Sequence, residues 1–211
     1  MIVGIIAQQA LASSGPGPTI YALNPADKSG QIALSNGDRT ARKAIGGIGW
    51  RSARSVTSHT SGKYYWEWTP DEFSGSFIGA GFQTGAANLE SYSGSQDVSL
   101  GLINEGSLFR NGGATASGIG GMSEGDTIAM AIDLDNSLVW FRRNGGNWNG
   151  SGTANPATAT EGFALNAAMV TGTPAIFASA SVQADPGDQL TVNFGQVPFG
   201  SAPPSGFTAW G

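Results

Sequence analysis

Three carboxylates stand where proton chemistry is conceivable. Glu67 lies in the aromatic run Lys63–Thr69 (K-Y-Y-W-E-W-T), and Asp133 and Asp135 have the alternate spacing that sets two side chains on one strand face. Glycoside hydrolysis needs two such groups across a cleft, about 5–9.5 Å apart. The oxygens of Asp133-Leu134-Asp135-Asn136 are also the hard ligands that calcium gathers in sets of about six to eight. The plainer reading is stronger for both. Asp and Asn in that order are turn residues, and the chain has no EF-hand spacing or calcium-binding nonapeptide repeat. His59 is the single histidine, set between Ser58 and Thr60, and reads as a loop residue. With no cysteine there is no thiolate nucleophile, disulfide or thiolate zinc site. We expect no catalytic residue, no metal and no cofactor.

Binding is better represented. Asn144–Gly152 (N-G-G-N-W-N-G-S-G) places Trp148 between Asn147 and Asn149. A flat amphipathic ring flanked by adaptable hydrogen-bonding groups suits sugar stacking or a protein hot spot. Equally, the ring could fold back to seal a sheet edge. Tyr92, within Glu90–Ser95, is a second loop anchor, and Arg110 offers a cation beside Phe109, which reads as core. Lys28, Arg39, Arg42, Lys43, Arg51, Arg54 and Lys63 are seven of the ten basic residues, so charge is uneven along the chain. Such a patch can steer an acidic partner, including another copy of the chain. Nucleic acid is a poor fit, because only Trp50 supplies an aromatic among these cations and the net charge is −5.

The elements that hold these residues are strands. Tyr64, Trp66 and Trp68 share one face of Lys63–Thr69, opposite Tyr65 and Glu67. Phe77–Phe82 and Val98–Asn104 read as buried strands, and Ser107–Arg110 follows a Glu105-Gly106 turn. Thr127–Asp133 and Ser137–Arg143 form the clearest hairpin, closed by Asp135-Asn136. Ala175–Val182 and Gln189–Phe194 end the series, with Pro186-Gly187 as the turn between them. Ala164–Val170 suits a helical turn or a buried strand. Many short strands between glycine-rich turns predict an all-β, two-layer antiparallel sandwich.

Composition agrees. Of 211 residues 33 are glycine, 40% are hydrophobic and only 12% are charged, about half the usual share. Such a chain is solvated by Ser, Thr, Asn and its own backbone. No apolar run approaches the ~18 residues of a spanning helix, so no membrane role is expected. Residues 1–18 read as an apolar arm bearing Ile2, Val3, Ile5 and Ile6, ending in the hinge Gly15-Pro16-Gly17-Pro18. No basic residue precedes Lys28, which argues against a signal peptide. Residues 19–211 then form one domain.

Several segments, in this order, resemble the bacterial and bacteriophage branch of the SPRY family. They are Asn24–Lys28 (N-P-A-D-K) with Ile32–Gly37 (I-A-L-S-N-G), Ser61–Trp68 (S-G-K-Y-Y-W-E-W) and Ile78–Phe82 (I-G-A-G-F). Gly125–Asn136, Phe141–Gly145 (F-R-R-N-G), Pro174–Phe177, Asn193–Gly195 and Pro203–Phe207 complete the match. Tyr21 departs from it, standing where an opening Trp is common, and the arm has no counterpart. The resemblance implies a concanavalin-like sandwich and a non-catalytic recognition module that binds protein surfaces through loops at one rim. In the phage branch it implies an accessory virion protein, in capsid decoration or tail, assembled in the host cytoplasm. Its partners would be other virion proteins or copies of itself, with a bacterial surface glycan as the alternative ligand. Ile2, Val3, Ile5 and Ile6 would anchor it.

Overall fold

The computed structural model describes residues 21–73, 75–184 and 187–211. The predicted N-terminal arm and its hinge, residues 1–18, lie outside the described residues, as does Pro186 of the turn predicted before Gln189. In chain order the strands are β1 Leu23–Lys28, β2 Ile32–Ser35, β3 Thr40–Lys43, β4 Arg51–His59, β5 Lys63–Glu72 and β6 Ile78–Thr84. There follow β7 Ser99–Ile103, β8 Ser107–Arg110, β9 Gly113–Ala116, β10 Ile128–Asp133 and β11 Leu138–Arg143. The last are β12 Phe163–Ala164, β13 Ile176–Val182, β14 Gln189–Asn193 and β15 Thr208–Ala209, with one helical turn, α1, at Ala167–Val170. One sheet has the order β1-β4-β13-β6-β7-β8-β9 and the other β12-β11-β10-β5-β14-β3-β2, with β15 parallel to the start of β5. This is the expected all-β, two-layer antiparallel sandwich.

Alternation explains why the sheets face each other as they do. Ile78, Ala80 and Phe82 of β6, Leu100 and Leu102 of β7, and Ile176, Ala178, Ala180 and Val182 of β13 point inward from the first sheet. Trp66, Trp68, Ile128, Met130, Ile132, Val139, Phe141, Leu190 and Val192 meet them from the second. Each fully buried side chain of Val, Leu, Ile or Phe size contributes about 1.5–3 kcal/mol, so this seam supplies most of the fold's stability. Asp133, wholly buried at the end of β10, is held by Lys63 Nζ at 2.9 Å and by Asn136, which donates through its backbone N–H and its amide. Burial alone would raise its pKa; the Asn136 donors and the Lys63 ammonium more than offset this and hold it below the usual value.

On the outer face of the first sheet the loop 85–97 lies against small residues, Ser52, Gly101, Ser179 and Ser181. Ser93 bonds Ser179 Oγ at 2.6 Å and accepts from the Gln83 amide at 3.0 Å, and its N–H donates to Ser181 Oγ. Ser52 bonds Ser181 Oγ and donates to the Ser91 carbonyl. The fit requires glycine at 101, because a Cβ there would stand 1.8 Å from the Ser93 carbonyl oxygen.

At the other end of β4 the residues around Trp210 are latched. Trp210 is fully buried, its indole N–H donating to Ser55 Oγ at 3.1 Å, while its carbonyl meets His59 Nε2 at 2.7 Å. The His59 ring stacks on Tyr64 with centroids 3.6 Å apart. His59 is therefore the last residue of a long strand and half-buried, not the loop residue the sequence implied. Ser58 and Thr60 gave no apolar alternation to reveal this. Burial pushes the imidazole pKa down, opposed by the hydrogen bond to Trp210.

Two predictions follow from this packing. Gly101→Ala should lose about 1–3 kcal/mol of unfolding free energy in urea, whereas Gly30→Ala, with nothing near its Cβ, should stay within about 0.5 kcal/mol. A neutral His59 stabilises the fold fully above the unfolded imidazole pKa of about 6.5, and that contribution is lost as pH falls through the lower folded value. Stability should thus decline on acidification below about 6.5, and His59→Gln should flatten that limb of the profile. An imidazole titrating above 6.5 by NMR would contradict the assignment.

Candidate recognition surface

The carboxylates are already engaged. Glu67 accepts from the Tyr65 hydroxyl at 2.5 Å and the Ser201 N–H at 3.0 Å through Oε1, and from the Gly200 N–H at 2.7 Å through Oε2. It pins the C-terminal segment to the outer face of β5. Burial and the Glu67 carboxylate push the Tyr65 phenol far up, so it stays protonated and donating. Asp135 accepts the Gly62 N–H at 2.9 Å and closes the turn between β4 and β5 against the β10–β11 hairpin. Among the described residues no group of three His, Cys, Asp or Glu side chains could hold a metal ion. Glu67 and Asp135 both hold backbone N–H groups.

The loop with Trp148 sits over the second sheet. The ring is half-buried, meeting Tyr65 edge-on at 6.4 Å and lying 4.4 Å beneath the Arg142 guanidinium. That cation–π contact occupies a ring face that stacking would need. Asn149 is committed to structure: its Oδ1 accepts the Phe141 N–H and its Nδ2 donates to the Glu161 carbonyl, with φ of 51°. Asn147 is exposed and lines a cavity of about 260 Å³ with Gly118, Ile119, Arg143, Gly146 and Gly150. Arg110 is half-buried on β8 and donates to the Ala164 carbonyl at 3.2 Å.

Tyr92 belongs to a different assembly, on the first sheet. Its ring packs on Trp50 at 4.9 Å and edge-on against Phe109 at 5.3 Å, and Trp50 stacks in turn on Phe77 at 6.3 Å. All four rings are half-buried, Phe109 included, where core placement was expected. Burial raises the Tyr92 phenol pKa, keeping it a neutral donor. Alongside, Arg51 makes an ion pair with Glu90 at 2.8 Å.

The loop 44–50 that delivers Trp50 is held from within. Lys43 is completely buried, and its ammonium donates to the carbonyls of Gly47 at 2.8 Å, Gly49 at 3.0 Å and Gln183 at 3.2 Å. A buried cation coordinated by carbonyls fixes backbone that would otherwise have little to order it. On this loop Ile45 is 59% exposed and Ile48 84% exposed. In the sequence Trp50 stood out only as the one aromatic among cations, Phe77 read as the start of a buried strand although β6 begins at Ile78, and Ile45 and Ile48 gave no site. The available signal was A-I-G-G-I-G-W itself: isoleucines between glycines, with no alternation to bury them.

No protein-family model matches the chain, and no curated protein matches it. Solved structures do. The SPRY domain of human HERC1 superposes with a TM-score of 0.65 at 16% identity, over 84% of this chain and 100% of that one. A human SPRY domain follows at 0.58 and 12% identity, covering 80% and 98% of the two chains. The PSpry domain of TRIM65 gives 0.55 at 16%, covering 82% and 90%. At such identities the likeness is one of architecture, and the chain has the fold of SPRY domains.

Proposed function

We propose that the chain is a non-catalytic recognition module that grips a protein partner with the rim formed by Ile45, Ile48, Trp50, Phe77 and Tyr92. One observation carries this: two isoleucines stand in water beside half-buried aromatics on loops that a buried Lys43 and a serine lattice already hold rigid. Aromatic anchors on pre-ordered backbone are the composition of interface hot spots, since little entropy remains to be lost on binding. The SPRY fold supports the reading, because the family that the sequence resembles consists mostly of such modules. On the motif resemblance to the phage branch, the proposed partner is another structural protein of a virion or a second copy, with Ile2, Val3, Ile5 and Ile6 as the proposed anchor. Glycan stacking on Trp148 is the weaker alternative, given the Arg142 cover and the committed Asn149.

Peptides selected on the full chain from a displayed random library test the rim. Trp50→Ala and Ile48→Asp should each weaken the selected peptides at least about tenfold, and Trp148→Ala should leave them unchanged. Loss confined to Trp148→Ala would move the site to the other sheet, and a glycan array bound in a Trp148-dependent way would replace the protein partner with a sugar.

A further inference from the structure

Sheet edges invite pairing with other chains unless they are blocked, and in this sandwich they are treated unequally. β1 carries Pro25, Asp27 and Lys28 and an irregular register against β4. β12 is two residues long. At β2, Lys28 lays its ammonium on the Ile32 carbonyl at 2.7 Å. β9 has no such device. Its residues Gly113, Ala114, Thr115 and Ala116 are all exposed, and no charged residue occurs between Arg110 and Glu124. Among the described residues nothing pairs with its outer side.

The register shows which groups face out. β8 and β9 are joined by Asn111 and Gly112 alone, with φ of 48° and 73°, and pair Arg110 with Gly113. A two-residue turn of this kind makes the flanking pair exchange hydrogen bonds. Gly113 and Thr115 therefore bond inward, a parity continued by the Ser117 N–H on the Gly106 carbonyl at 3.0 Å. The N–H and C=O of Ala114 and Ala116 point away from the sheet.

We propose that β9 is a self-pairing edge through which two copies of the chain join antiparallel, Ala114 of one copy opposite Ala116 of the other. In that register each alanine exchanges both backbone bonds with its opposite number, and Thr115 faces its own symmetry mate. A second copy fits better than a charged or bulky strand. The two-fold axis brings together only Gly, Ala and Thr, with no like charges to oppose each other and no large side chain to hold the backbones apart. The pairing is independent of the Trp50 rim.

Because the natural chain lacks cysteine, Thr115→Cys provides a clean reporter. Opposed residues of a non-bonded antiparallel pair have Cα atoms about 4.5 Å apart, within disulfide range. The full chain should sediment as a concentration-dependent dimer. Thr115→Cys should oxidise to a disulfide-linked dimer, while Ala33→Cys, on the guarded β2, should link only at the collision rate. Ala114→Pro removes an outward donor without removing a hydrogen bond to β8, and Thr115→Lys sets like charges face to face; each should weaken self-association at least about tenfold. A chain that remains monomeric up to about 1 mM, or dimerises with no response to any of these substitutions, would overturn the proposal.

Discussion

The structure depends on how little stands on the outer face of the first sheet. Gly101, Ser179, Ser181 and Ser52 leave room for a loop to lie flush against the strands, close enough that its Ser93 carbonyl leaves no space for a Cβ at 101. Hydroxyls that would be costly if buried unpaired satisfy one another and the loop backbone instead. The same contacts that bury the loop aim Tyr92 at Trp50. Packing and presentation are thus one event, and on the proposed reading the cost of ordering the rim is met during folding.

Charge follows a similar logic. A chain with only 12% charged residues uses several of them as internal fasteners. Lys43 gathers carbonyls beneath the loop 44–50, Glu67 gathers the N–H groups of Gly200 and Ser201, and Asp133 ties Lys63 to the β10–β11 turn. Each ion holds irregular backbone that has no sheet partner. The lone pairs of Glu67 and Asp133 are thereby occupied by structure.

Much of this was legible in sequence, and the failures are physically specific. Strands with apolar alternation were readable, as β5, β10 and β11 show, since Trp66, Met130 and Phe141 each recur on a two-residue period. β4 was not, because R-S-A-R-S-V-T-S-H buries small residues on both faces and shows no hydrophobic contrast. β9 was missed because Gly113–Ala116 is exposed along its whole length and likewise shows no hydrophobic contrast. Ala164–Val170, left open between helix and strand, divides: Ala164 ends β12 and Ala167–Val170 makes one helical turn. Within the candidate surface, the residue types of Tyr92 and Trp148 were visible, but their surroundings depend on contacts distant in sequence. Arg142 over Trp148 and Glu161 beyond Asn149 could not be read from the loop alone.

Amide hydrogen exchange on the unbound protein measures the central claim most directly. If the rim is ordered in advance, the N–H groups of Ser93 and Gly94, which donate to Ser181 Oγ and Ser99 Oγ, should exchange as slowly as those of β6 beneath them. Exchange of those two amides at the rate of an open loop, while β6 stays protected, would show that the loop is not held by the sheet.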